Sequence, residues 1–111
     1  MLMIKSDGTE PSEKHRTMFF ELAERYISLH PAIAAALFTL WEPYLSEWND
    51  DKPIVRSVKH MLEYTNLFCI ELEAPSRIRL SYSFTPEVGW DDAMFLLRLT
   101  NWEVTPESLD D

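Results

Sequence analysis

Glycine is nearly missing from this chain: there are two in 111 residues, Gly8 and Gly89, and both are isolated. Backbone amides close around a phosphate where clustered glycines let the chain approach it. Nucleotide binding through a P-loop or a dinucleotide fingerprint is therefore excluded. Cysteine is scarcer still. A lone Cys69 rules out an internal disulfide and a four-thiolate zinc site, and it suits a reducing compartment. Bases are in short supply as well, ten against nineteen acids, for a formal net charge of -9. Such a surface repels phosphate backbones and anionic lipid, which argues against direct contact with nucleic acid or membrane. Nor does any apolar run approach the ~20 residues that cross a bilayer. The opening MLMIKSDGTE lacks a basic stretch leading into a long apolar one, so it does not read as a signal peptide, and the expected address is cytoplasmic.

Convergent chemistry is equally thin. His15, His30 and His60 are too scattered for zinc, which draws its ligands at short spacings. The acid pairs Asp50 with Asp51, Asp91 with Asp92 and Asp110 with Asp111 lack the glycine that a calcium loop requires. His60 and Glu63 share a helical turn, but that spacing is also an ordinary surface pair. Cys69 alternates onto the same face as Glu71 and Glu73, whose charges suppress the thiolate a nucleophile needs. No G-x-S-x-G occurs. No catalytic residue, metal ligand or cofactor is assigned.

What the chain does have is apolar material, 46% of residues with 13% aromatic, enough for one core at this length. It is read as a single domain, 1–111, with 1–10 and 105–111 as poorly ordered ends. From Pro11 to about Leu29, Phe19, Leu22, Ala23 and Tyr26 recur with helical spacing. His30 and Pro31 then interrupt the pattern. A second helix, PAIAAALFTLW, is apolar all round and belongs in the interior, ending or kinking near Trp41 because Pro43 removes a donor. A third, over residues 52–64, places Ile54, Val58, Met61 and Leu62 on one side. After Asn66 the period drops to 2: Phe68, Ile70, Leu72 and then Ile78, Leu80, Tyr82, Phe84 alternate with Cys69, Glu71, Glu73 and then Arg77, Arg79, Ser81, Ser83. That is a β-hairpin, with Glu71 and Glu73 opposite Arg77 and Arg79 fixing its register. DDAMFLLRLTN favours helix by composition, with a buried strand as the alternative; the closing TPESLDD reads as a polar tail. The expected fold is α+β: three N-terminal helices packed on a small antiparallel sheet built around the hairpin 67–84, with a further C-terminal helix or strand. Because a two-stranded ribbon is marginal alone, MLMIK, the 102–105 segment or a second copy of the chain should supply another strand, the last making a homodimer.

The layout of charge is the remaining signal. Acids concentrate in the last third and around residues 42–51, where FTLWEPYLSEWNDD sets aromatic residues among carboxylates. Helical spacing assigns Phe38 and Trp41, and then Tyr44, Leu45 and Trp48, to the core, with the acids as its rim. The first reading is a small acidic, non-catalytic module that docks on a basic protein partner, as an inhibitor, immunity protein or assembly factor does, through Glu42, Glu47, Asp50, Asp51, Glu87, Asp91, Asp92 and Glu103. A second is a small enzyme or ligand-binding protein whose anionic ligand meets Arg56, Lys59, His60, Arg77 and Arg79. A third is the structural subunit of a homo-oligomer.

Overall fold

The structure, a computed structural model, describes residues 3–6, 13–45, 55–73, 77–90 and 92–110. Among the described residues, five strands form one mixed sheet in chain order. β1 (Met3–Ser6) lies parallel to β2 (Thr65–Glu73), and β3 (Arg77–Phe84), β4 (Met94–Thr100) and β5 (Glu103–Asp110) follow antiparallel. One long helix, α1 (Glu13–Leu45), and a short one, α2 (Val58–Glu63), cover a single face of this sheet.

The class is α+β, but the expected three helices on a small antiparallel sheet are not what forms. The first two are one element, because α1 runs through both Pro31 and Pro43. Each proline costs a backbone hydrogen bond and crowds the preceding turn. Both rings lie on the exposed side of the helix, as does Ile27, so the carbonyl that Pro31 leaves without a helical donor faces water. Strong helix formers in AIAAALF then carry the helix on. At about 1.5 Å per residue it accounts for the long dimension of the molecule, 47 Å.

The third helix shrinks to six residues, and Ile54 lies outside the described residues. Val55 is buried ahead of α2, where its carbonyl accepts the Trp41 indole N–H at 2.6 Å. Val58, expected inside, is exposed. His15 on α1 is buried.

The hairpin forms with the anticipated register, Glu71 opposite Arg79 and Glu73 opposite Arg77. A bulge between Leu67 and Cys69 shifts the alternation and leaves Phe68 beside Cys69 and Leu96 on the open face of the sheet, away from the side where the period placed it. Residues 94–100 are strand. Phe95, Leu97 and Leu99 are buried toward the helices, while Met94, Leu96 and Arg98 alternate outward. Since Met94 and Leu96 are also apolar, the period of 2 is masked in the sequence, and pairing with β3 overrides a composition that favours helix. β5 occupies the stretch read as a polar tail and adds a second outer strand.

β4 and β5 are joined by two residues, Asn101 (φ 51°) and Trp102 (φ 67°). This is the doubly left-handed turn that matches strand twist, and asparagine suits its first position. Tryptophan at the second, where glycine is cheapest, costs about 1 kcal/mol.

The core lies between α1 and the sheet. Leu22, Ile33, Leu37 and Trp41 meet Ile70, Leu80, Tyr82, Phe95 and Leu97. Beside it the hydroxyls of Tyr26 and Tyr82 share a part-buried hydrogen bond of 2.5 Å.

Candidate functional site

The C-terminal end of α1 packs against the connection between β3 and β4. The connection is short, Thr85 to Ala93, with a 3-10 turn at Pro86–Val88 closed by Gly89 in the left-handed region (φ 84°). That φ is open to glycine without steric cost, and it delivers Trp90 onto the helix. The Trp90 ring centroid lies 5.8 Å from Trp41 and 5.7 Å from Tyr44, the latter edge to face. Phe84 and Phe95 continue the cluster inward, Phe84 at 5.1 Å from Trp41 and 5.0 Å from Phe95.

The cluster is graded from core to surface. Trp41 is fully buried, Trp90 is half-buried, and Tyr44 is 38% exposed. Glu42, Glu87 and Asp92 are exposed at the same end of the molecule. The Thr85 hydroxyl, and then its own backbone N–H, hold the Glu87 carboxyl below the ordinary carboxylate range. Glu87 therefore stays ionised at lower pH than a free glutamate side chain. A partly exposed aromatic pair at an end that also carries carboxylates offers a π face and negative charge together, the combination that receives lysine and arginine side chains.

Four of the eight expected acidic positions, Glu47, Asp50, Asp51 and Asp91, lie outside the described residues, as does Trp48. Glu42, Glu87 and Asp92 are brought to one pole. Glu103 is not. It sits at the far end of β4, paired with Thr100, about 20 Å away at the rise of a strand.

The expected anionic-ligand group does not converge. Arg56 and Lys59 are exposed beside and on α2, in the helical layer, and the His60 Nδ1 accepts the Arg56 backbone N–H at 3.2 Å. Arg77 and Arg79 sit on the opposite, open face of the sheet, at the other end of the hairpin. There they already meet carboxylates: Arg79 lies 3.7 Å from Glu71, 3.5 Å from Glu73 and 3.4 Å from Glu107, and Arg77 4.0 Å from Glu73. Arg98 completes the network at 2.7 Å from Glu107. Three arginines balanced by three glutamates leave little net attraction for an anion. Among the described residues no three His, Cys, Asp or Glu side chains gather as metal ligands would, and no helix is long and apolar enough to cross a membrane.

Sequence reasoning passed over Trp90, because TPEVGW reads as a bare loop. The available signal was a second stretch of tryptophan among acids, Glu87, Trp90, Asp91 and Asp92, matching the one around Trp41. Comparison of the chain with protein-family models, with curated proteins and with solved structures returns no match.

Proposed function

We propose that this protein is a non-catalytic binding module of the cytoplasm that docks a basic protein partner at the pole where α1 ends on Trp90. The observation that supports this reading is the partly exposed Tyr44 and Trp90 pair, at the end of the molecule that also carries the exposed Glu42, Glu87 and Asp92. Aromatic anchors give an interface its energy, and a rim of one sign steers encounter and selects partners of the other sign. The net charge of -9 extends that steering beyond the contact itself. The test compares the wild type with the doubly charge-reversed variant Glu87→Lys and Asp92→Lys as baits at low salt. A partner with a basic surface should be retained by the first, lost by the second and released by salt. Equal retention by both baits removes the pole from the binding surface.

A second reading, self-association, is favoured by α1 itself. Phe20 is 65% and Ile27 79% exposed, seven residues apart on one side of the helix. Arg16 and Glu24 stand four residues either side of Phe20. Antiparallel pairing of two copies about Phe20 sets each Arg16 level with the partner's Glu24. Sedimentation velocity decides it: concentration-dependent dimer that vanishes in Phe20→Glu supports this reading, and a monomer at all concentrations removes it.

A further inference from the structure

At the end of the molecule away from Trp90, α1 and the sheet diverge around a cleft of about 450 Å³. That is within the size range of small-molecule sites. Its floor is apolar, formed by Met18, Ile78 and Leu99, and one wall is Trp102. Glu13, Lys14 and Glu21 stand at the rim.

Two features set this cleft apart from a simple gap in packing. The first is the wall. Trp102 occupies a left-handed turn position (φ 67°) where glycine would be less costly, and its ring is fixed under the Arg25 guanidinium, 4.9 Å from the centroid. A strained backbone thus presents an indole to the cleft. The second is the charge. The rim carries two carboxylates against the Lys14 ammonium, the nearby Arg25 guanidinium being engaged on the Trp102 indole, and among the described residues neither Glu13 nor Glu21 is held in an ion pair.

We infer that this cleft between α1 and the β4–β5 turn binds a small organic cation, a primary amine on an aromatic or aliphatic stem. The stem lies over Met18, Ile78 and Leu99 against the indole, and the ammonium reaches Glu21 and Glu13. Carboxylates at the rim reject the corresponding anion. The inference stands apart from the acidic pole, which lies at the opposite end of β4, so either can fail alone.

The probe is phenethylamine, with phenylacetate as its charge-reversed counterpart, followed through the indole N–H resonances of the ¹⁵N-labelled protein. The Trp102 resonance is assigned by its loss in Trp102→Gly. Phenethylamine should move it saturably in the millimolar range, with the Trp90 resonance unmoved, and phenylacetate should leave both in place. Glu21→Gln, at a partly exposed position whose change leaves the core intact, should weaken binding about threefold. A Trp102 resonance that ignores the amine overturns the site. One that responds equally to phenylacetate, or to the amine regardless of Glu21→Gln, overturns its chemistry.

Discussion

Tyr82 donates or accepts a hydroxyl contact that ties α1 to the sheet, and burial, followed by the Tyr26 hydroxyl beside it, pushes its ionisation far above the ordinary tyrosine value of 10.0. The consequence for stability has a definite sign. A group whose folded pKa is raised holds its proton in the folded state while the unfolded chain loses one, so its contribution is complete below about pH 10 and is lost as pH rises further. Alkaline titration followed at 295 nm should therefore show Tyr82 ionising only with unfolding. Tyr82→Phe should cost about 1 kcal/mol at neutral pH, the usual worth of such a hydrogen bond, and should flatten the decline above pH 10. If Tyr82→Phe leaves the alkaline decline unchanged, the pair is not its source. Trp41 makes a parallel case. Its ring is fully buried and its indole N–H is bound by the Val55 carbonyl. Trp41→Phe should destabilise by about 1–3 kcal/mol, the cost of an orphaned buried acceptor with a small cavity, read from urea unfolding.

At the level of elements, α1 is the feature that departs furthest from expectation. A helix running through Pro31 carries a local cost that Pro31→Ala removes, so the variant should gain about 1–3 kcal/mol in urea unfolding, up to the full difference between the two residues in a helix interior. Were the chain broken at Pro31 into two helices, the same change would gain little or nothing. The hairpin was legible because its two faces differ in polarity at every step from Ile70 to Glu73 and from Arg77 to Phe84, and register followed from the charges at Glu71, Glu73, Arg77 and Arg79. β4 was not, since Met94 and Leu96 are apolar on the face that the helices leave open, and period alone does not separate a strand from a helix there. The turn at Asn101 and Trp102 was missed for a different reason: tryptophan is not among the residues that signal such turns, and only its backbone angle gives it away. Of the candidate site, the acids were visible and their gathering was not. Glu42 and Asp92 are fifty residues apart, and Trp90 packing on Trp41 and Tyr44 is what brings their two segments to the same end of the molecule.

Across the whole molecule the charges have separate tasks. The arginines of the sheet's open face are matched by Glu71, Glu73 and Glu107, which keeps that face near neutral and holds β3, β4 and β5 together. The excess of acid remains for the pole and for the chain's long-range field. That division predicts a salt response: partner binding should weaken steeply as ionic strength rises past the Debye regime, while folding stability, resting on the buried core, changes little. Isothermal titration and urea unfolding in parallel salt series check the two halves separately. If Trp90, Tyr44 and the carboxylates at their end of the molecule form the binding surface, hexa-arginine amide titrated into ¹⁵N-labelled protein will find it there. Shifts confined to Tyr44, Glu87, Trp90 and Asp92, and abolished by Glu87→Lys with Asp92→Lys, are the predicted result. Shifts spread evenly over every acidic residue, or centred on Glu103 at the opposite end, would contradict it.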